Sequence, residues 1–294
     1  MAAHAAPLPL TRETVPQGPS LWQRLARNRR IRFGVLIVAL IAVAALAAPL
    51  LTHADPRSPH PNLSNHPPFT AGSILGTDSL GRDIWSRILF GARISLLIGV
   101  AAAGVALLIG VPLGLVAGFF GGAVDTVIMR WVDIQLAIPF FLLAITIAAL
   151  FGQGLFNVIV LLGVTSWVGY TRVTRGQVLQ VRELPYVEAA RALGAGPWTV
   201  LTRHILPNIW TPILVLASQQ IGALIIAESS LTFLGIGVPP DIPTWGGMIA
   251  NGRSYLSTAW WISTVPGFAL TLTVVAVYFL GDGLRDVLDP RLKR

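Results

Sequence analysis

The sequence has no cysteine and few charged residues. Its 294 residues include 13 acidic residues and one lysine, Lys293. Without cysteine, a disulfide framework and thiol chemistry are excluded. Charged residues make up 12% of the chain, whereas soluble domains average about 25%. This composition excludes an ordinary soluble protein.

The sequence is rich in apolar residues. Hydrophobic residues make up 54% of the chain, and the mean hydropathy is +0.69. Uncharged runs approach about 20 residues, the length that a helix needs to cross a bilayer. We therefore predict an all-α membrane protein with six transmembrane helices. The predicted spans are 33–51, 94–120, 134–151, 155–170, 213–236 and 262–280.

These spans divide the chain into five parts. A flexible cytoplasmic segment (1–30) precedes the first transmembrane helix (31–52) and an extracytoplasmic loop with an interfacial helix (53–91). A core of five transmembrane helices (92–284) contains a loop at 172–210, and a cytoplasmic tail (285–294) follows. That loop carries five arginines, whereas the loop after the fifth span has only Arg253. The positive-inside rule then places both termini in the cytoplasm.

The stretch "EAARALGAGPWTVLTRHILPN" (188–208) interrupts the apolar pattern. Pro185 is suited to begin a short helix and Gly194 to end it in the left-handed conformation. Pro197 then begins a second short helix that is predicted to end near Pro207. The Glu188 carboxylate, beside small apolar residues, is available to Arg191 or to an arginine of another protein. The pattern indicates a docking element at the membrane surface.

Glycine recurs every four residues before this loop, at Gly110, Gly114, Gly118 and Gly122. On a helix this spacing forms a ridge without side chains, where another helix can approach closely. Two interpretations are open: packing within the chain, or contact with another subunit.

Glu228 and Ser229 lie inside the fifth apolar span. A carboxylate in the membrane is costly, so it indicates a pathway or gate, or a hydrogen-bonded packing site. The histidines of the first external loop have a spacing that defines no metal geometry, and no metal site is predicted. The Gly76 to Asp83 stretch lacks the Lys-Ser/Thr of a nucleotide-binding loop. No catalytic residues are predicted.

Residues of the 188–208 stretch resemble the cytoplasmic "EAA" motif of ABC importer permeases. The matching residues are Glu188, Ala189, Ala190, Gly194, Leu206 and Pro207, whereas His204 stands where the motif has isoleucine. Residues 75–96, 230–249 and 280–294 further resemble the second permease of the dipeptide, oligopeptide and nickel transport family. The likeness extends over about residues 20–294.

This resemblance implies a MetI-like permease fold and an inner-membrane subunit that forms half of a peptide pathway. It also implies a paired homologous permease (a heterodimer), two ATP-binding subunits, an extracytoplasmic substrate-binding protein and membrane lipid, but no nucleic acid. ATP and magnesium would belong to the partners, with no cofactor on this chain. The implied coupling residues are Glu188, Ala189, Ala190, Arg191, Gly194, Leu206 and Pro207. Nickel or glutathione transport, or a proton-coupled carrier that uses Glu228, are the alternatives.

Overall fold

The computed structural model describes residues 21–70 and 72–288. Over these residues the chain is helical, with two isolated β-bridges and no strand. The all-α class is therefore confirmed, whereas predictions for 1–20 and 289–294 lie outside the described residues. The α-helices are α1 (Leu21–Arg27), α2 (Arg29–Leu46), α3 (Ala48–Leu51), α4 (Ile84–Phe120), α5 (Gly122–Ala137), α6 (Phe140–Phe151), α7 (Leu155–Val181), α8 (Pro185–Ala192), α9 (Pro197–Thr199), α10 (Leu206–Phe233), α11 (Trp245–Gly252) and α12 (Trp261–Leu288).

The bundle has two distinct ends. One end carries residues 53–83, which we call the cap, together with α11; the other carries residues 182–205, which we call the loop end. Gln153 donates to the Gly235 carbonyl near the cap, and Arg30 pairs with Asp286 at the loop end at 3.0 Å. The helices α2 and α12 therefore run antiparallel, and both begin or finish at the loop end.

Four of the described helices are long and apolar enough to cross a membrane: α4, α7, α12 and the continuous helical stretch Pro197–Phe233. The pair α5 and α6 is a fifth candidate if it counts as one broken span. Helix α2 has 18 residues and begins with three arginines among its first four. The length and composition of the described helices thus support up to five spans, and the sixth remains a prediction.

The predicted interfacial helix is not a separate element. It forms the first turns of α4, which continues for 37 residues from Ile84 to Phe120. The Asp83 side chain accepts a hydrogen bond from the Ser86 amide and caps the helix N-terminus. No proline follows Asp83 until Pro112, far along the helix, and Arg87 is buried against partners in the cap. The helix therefore enters the bundle directly.

The predicted third span is also wrong in outline. The supposedly polar link that begins at Gly121 is helical from Gly122 onward, and α5 and α6 meet at 89°. Pro139 causes this break because it has no amide hydrogen for the helix and disfavours a helical residue before it. The span predicted as 134–151 is thus two helices.

The loop between α10 and α12, which the sequence predicts to be external, contains the unpredicted helix α11. Its Thr244 side chain accepts a hydrogen bond from the Gly247 amide, and Trp245 is buried. The Trp245 indole donates to the Ile88 carbonyl of α4 at 3.3 Å. The fourth span does continue as predicted, since α7 extends to Val181. The sixth runs further than predicted, to Leu288.

The cap is a folded unit held by buried charge. Asp78 accepts hydrogen bonds from the Arg82 amide at 2.9 Å and the Arg82 Nε at 2.7 Å. Arg87 of α4 lies 3.6 Å from the same carboxylate and donates to the Pro56 carbonyl at 2.7 Å. The Trp261 indole donates to the Thr77 carbonyl at 3.2 Å. The cap is therefore joined to both α4 and α12.

Candidate functional site

The loop end is built around the short helix α8. Helix α7 ends at Val181, and α8 begins at Pro185, whose missing amide hydrogen costs nothing at a first helical position. At the other end Gly194 has φ +84°. Its amide donates to the Arg191 carbonyl at 2.9 Å, and the Ala195 amide donates to the Ala190 carbonyl at 3.0 Å. These two bonds form a Schellman motif, which requires a residue that tolerates positive φ.

The two faces of α8 have different surroundings. Val187 and Ala190 are buried, and Val187 joins an apolar cluster with Val200, Leu201 and Ile205. The opposite face is exposed, and Leu193 has 88% of its surface accessible. The exposed residues predicted for coupling on this helix are Glu188, Ala189 and Arg191. Helix α8 is therefore held by one face and leaves the other open.

The Glu188 side chain makes no hydrogen bond or ion pair with any residue in the described part of the chain. The pair with Arg191 that the sequence allowed does not form. Instead, the Arg191 guanidinium lies over the Phe119 ring, with Cζ 5.1 Å from the centroid. The Trp198 and Phe120 rings meet edge to face with centroids 6.4 Å apart. The loop thus rests on the end of α4 and keeps the Glu188 carboxylate free for another molecule.

The second helix of the loop does not end near Pro207, contrary to the prediction. From Pro197 the chain stays helical through a π-helical segment, Val200–Ile205, and into α10. A wider π turn accommodates proline, which would otherwise clash with a carbonyl one turn earlier. The His204 carbonyl accepts hydrogen bonds from Asn208 at 2.7 Å and Tyr186 at 3.4 Å.

The hydrogen bond from Tyr186 connects α8 to the π-helical segment that leads into α10. Partial burial raises the pKa of the Tyr186 hydroxyl, so the group keeps its proton and remains a donor. Ile205 is buried, Leu206 is half-buried and Pro207 is exposed. The buried Ile205 supplies the apolar contact that His204, at the motif position, does not.

Glu228 is fully buried in α10. Thr232 Oγ1 donates to its Oε1 at 2.8 Å, and Ser229 Oγ lies 3.3 Å from its Oε2. Both hydroxyls belong to the same helix, and Gly246 of α11 packs directly against Ser229. A cavity of about 360 Å³ lies alongside, lined by Ser229, Ser230, Phe233 and Gly246 among others, but Glu228 is not part of its wall.

The glycine ridge lies between α4 and α7. A Cβ atom would stand 2.4 Å from the Trp167 carbonyl oxygen at Gly110 and 2.6 Å from the Thr171 carbonyl oxygen at Gly114. At Gly118 it would be 2.7 Å from the Cβ of Val178. These three glycines therefore allow close helix packing within the chain. Gly122 is different, because it lies beyond α4 with φ +54° and open space around its Cα.

Sequence reasoning missed two polar contacts at this end. Arg175 of α7 forms a bidentate pair with Asp125 of α5, with Nε to Oδ1 at 2.5 Å and Nη2 to Oδ2 at 2.6 Å. Arg182 donates to the Gly118 carbonyl at 2.8 Å. The sequence could not reveal the ion pair, because Asp125 and Arg175 are 50 residues apart. The only signal was that Asp125 is an acidic residue in the first turn of α5.

Comparison with solved structures identifies the fold. The methionine ABC transporter MetNI, in an inward-facing conformation, matches with a TM-score of 0.57 over 70% of this chain and 98% of the other chain. Sequence identity is 21%, so this likeness shows the fold alone. The fold is that of an ABC importer permease, which confirms the MetI-like architecture.

The chain belongs to the family of binding-protein-dependent transport system inner membrane components, whose family model matches residues 110–294. A second model, the N-terminal transmembrane domain of oligopeptide transport permease C, matches residues 20–68. The protein is therefore a multi-pass inner-membrane permease subunit of a transport system. The family resemblance that the sequence motifs indicated is confirmed.

Several curated relatives match over most of the chain. The di/tripeptide transport system permease protein of Pseudomonas aeruginosa is 41% identical, covering 92% of this chain and 91% of the relative. The glutathione transport system permease protein of Pectobacterium atrosepticum is 42% identical, with 99% and 97% covered. The dipeptide transport system permease protein of Bacillus subtilis is 41% identical, with 93% and 85% covered.

Proposed function

We propose that this chain forms half of the translocation pathway of an ATP-driven importer of di- and oligopeptides. The other half would come from a related permease, in a heterodimer. Two ATP-binding subunits would supply the energy, and an extracytoplasmic binding protein would deliver the peptide. No nucleotide or cofactor would bind to this chain. The names of three relatives, for di/tripeptide, dipeptide and glutathione transport, support a short peptide as substrate.

The observation that carries the proposal is the exposed face of α8. The Glu188 carboxylate is exposed and unpaired, and Leu193 at the end of the same helix is exposed as well, whereas Val187 and Ala190 are buried. An apolar contact with a nearby charge suits docking into a groove of a partner subunit. The helix is joined to α7 at one end and to α10 through the π segment. Movement of a docked partner would therefore reach two long helices as a rigid-body displacement.

Each predicted coupling residue has a role in this proposal. Glu188 and Ala189 would contact the ATP-binding subunit, while Ala190 and Gly194 set the position and the end of α8. Arg191 would hold the helix against Phe119. Leu206 and Pro207 would transmit the displacement into α10.

We propose that the loop end faces the cytoplasm, with both termini on that side. The arginines of α2, of the end of α7 and of the loop support this orientation by the positive-inside rule. The arginines of the cap and of the first turn of α4 fit this orientation less directly when they are simply counted. Two of them, Arg82 and Arg87, are buried around Asp78, so they contribute little accessible charge to the outer surface.

Glutathione is a second candidate substrate, favoured by the 42% identity to a glutathione permease. A proton-coupled mechanism has less support. Glu228 is enclosed by hydroxyls, two of its own helix and that of Thr244 at the start of α11, and it does not line the neighbouring cavity. We retain Ser229, which does line that cavity, as the better candidate for the pathway. No observation favours nickel.

The test is peptide uptake by the assembled complex. The chain is co-expressed with its partner permease and ATP-binding subunits, reconstituted into vesicles, and given the binding protein and a labelled dipeptide. We expect uptake to require ATP. Glu188→Arg should insert normally but lose both the ATP-binding subunits and uptake, because the reversed charge opposes docking.

Glu183→Arg is the matched control, since Glu183 is an exposed acid of the same loop outside the proposed contact. It should keep assembly and uptake. Unchanged uptake in Glu188→Arg would refute the docking role. Uptake that follows a proton gradient without ATP would refute the proposed function as a whole.

A further inference from the structure

Helix α5 is loosely held by apolar packing. Of its 16 residues only Val132 is buried, whereas α4 and α7 each bury many side chains. Apolar packing against the bundle therefore does not fix the position of α5, although α5 follows α4 in the chain and contacts α7. Its position must depend on other contacts.

Two polar contacts join α5 to α7. At the loop end Asp125 and Arg175 form the bidentate pair, at 2.5 and 2.6 Å. Further along, Gln135 Nε2 donates to the Thr165 carbonyl and accepts from the Trp167 indole at its Oε1, both at 2.6 Å.

The spacing of these contacts is the same on both helices. Asp125 and Gln135 are ten residues apart on α5, and Arg175 and Thr165 are ten residues apart on α7. Ten residues correspond to about 15 Å of helix. The two helices thus lie antiparallel and are joined at two points, which fixes both the position and the direction of α5 relative to α7.

Both ends of α5 are connected through breaks in the helix. Gly121 and Gly122 have φ of +65° and +54°, and a Cβ at Gly122 would meet no atom within 4 Å. Glycine passes between such conformations with little steric cost. At the other end α6 departs at 89° after Ile138 and Pro139. The connections on either side therefore allow α5 to change direction, while the polar contacts hold it to α7.

Helix α7 also leads into α8, since only three residues separate the two helices. The glycine ridge and the bond from Arg182 to Gly118 hold α7 to α4. We propose that Asp125 and Arg175 are positioning residues that make α5 follow α7 when the docked partner moves α8. This inference rests on the proposed function, because it requires a partner that moves the loop end. A bidentate, charge-assisted pair suits the role, since it resists both separation and rotation.

The test uses the reconstituted complex with Asp125→Asn. Assembly, ATP hydrolysis and peptide uptake are measured together. We expect assembly and ATP hydrolysis to remain, and the peptide transported per ATP to fall by about tenfold, a change within the range that single residues in a coupling network give. Asp133→Asn is the matched control, because Asp133 is an exposed acid of the same helix and should leave the ratio unchanged.

A distance measurement separates positioning from a purely structural role. Spin labels at Thr126 and Arg172 report the separation of α5 and α7 with and without trapped nucleotide. In the wild type this separation should stay constant, and in Asp125→Asn it should become broad. The exchanged variant Asp125→Arg with Arg175→Asp should restore the narrow distribution and most of the transport ratio.

Three results would overturn the proposal. The first is a transport ratio in Asp125→Asn equal to that of Asp133→Asn. The second is loss of assembly in Asp125→Asn, which a purely structural role predicts. The third is an exchanged variant that restores neither readout. All three are distinct from failure of the proposed function, which appears in the wild type as uptake without a requirement for ATP.

Discussion

The two ends of the bundle treat their charged groups in opposite ways. In the cap, Asp78, Arg82 and Arg87 are buried and fully engaged with one another and with the backbone. At the loop end, Glu188 is exposed and has no partner among the described residues. A buried charge that is paired stabilises one arrangement, because leaving it unpaired is costly. An exposed and unpaired charge beside an apolar side chain is instead available for contact with another molecule.

The two ends also differ in whether their polar groups find partners within the described part of the chain. The cap has its own polar network and contacts α4 and α12. The loop end rests on Phe119 and Phe120 through Arg191 and Trp198, and its outer face has no counterpart among the residues that the structure describes. We interpret the cap as a rigid outer structure and the loop end as a surface that a partner completes.

The largest effect should come from removing the central carboxylate of the cap. Asp78→Asn leaves the guanidinium groups of Arg82 and Arg87 buried without their counter-charge. We expect a loss of about 3 to 5 kcal/mol in the free energy of unfolding. A denaturant titration in detergent, followed by tryptophan fluorescence, measures it.

Asp55→Asn is the control for this change, since Asp55 is an exposed acid of the same cap whose side chain accepts a hydrogen bond from the Arg57 amide. It should shift the unfolding free energy far less. Equal effects of the two substitutions would show that the buried cluster is not what holds the cap.

A smaller loss of unfolding free energy is expected from a substitution in the packed contact between α4 and α7. Gly114→Ala places a Cβ 2.6 Å from the Thr171 carbonyl oxygen, where backbone must move. The expected loss is about 1 to 3 kcal/mol of unfolding free energy. Gly104→Ala, on an open side of the same helix, should be neutral or stabilise by about 0.5 to 1 kcal/mol. The same titration measures both, and identical values would contradict the packed ridge.

The smallest effect should be local to α8. Gly194→Ala forces a side chain into φ +84°, which costs about 1 to 2 kcal/mol. We expect faster amide hydrogen exchange in residues 186–195 with little change in overall stability, because the Schellman motif ends only this short helix. Gly196→Ala is the control, since Gly196 has φ −66°. Equal exchange rates in the two variants would show that the turn does not depend on glycine.

Much of the fold followed from local sequence. The apolar runs predicted helices, and Pro185 and Gly194 marked the two ends of α8 correctly because a missing amide hydrogen and a positive φ are properties of single residues. Predictions failed where one helix continues or breaks. The continuation through Pro207 depends on a π segment and on side chains that satisfy the His204 carbonyl, and hydropathy alone contains no such information.

The candidate site was predicted in part. The exposed face with Glu188 could be located from its motif. The sequence could not show, however, that Arg191 contacts the Phe119 ring and not the Glu188 carboxylate. That contact depends on where the end of α4 lies, 72 residues earlier in the chain. The cluster around Asp78 was missed for a related reason, since an arginine near a membrane boundary is more often solvated than buried.

The sequence by itself determined that this is an all-helical membrane protein and which permease family it resembles, and it predicted a docking motif between two long helices. These properties depend on composition and on residues close together in the chain. Only the tertiary structure decided that Asp125 pairs with Arg175, that three glycines hold α4 to α7, and that Glu228 is buried between hydroxyls of its own helix and Thr244 at the start of α11. Those contacts join segments up to 61 residues apart or depend on burial, and the packing of whole helices decides both.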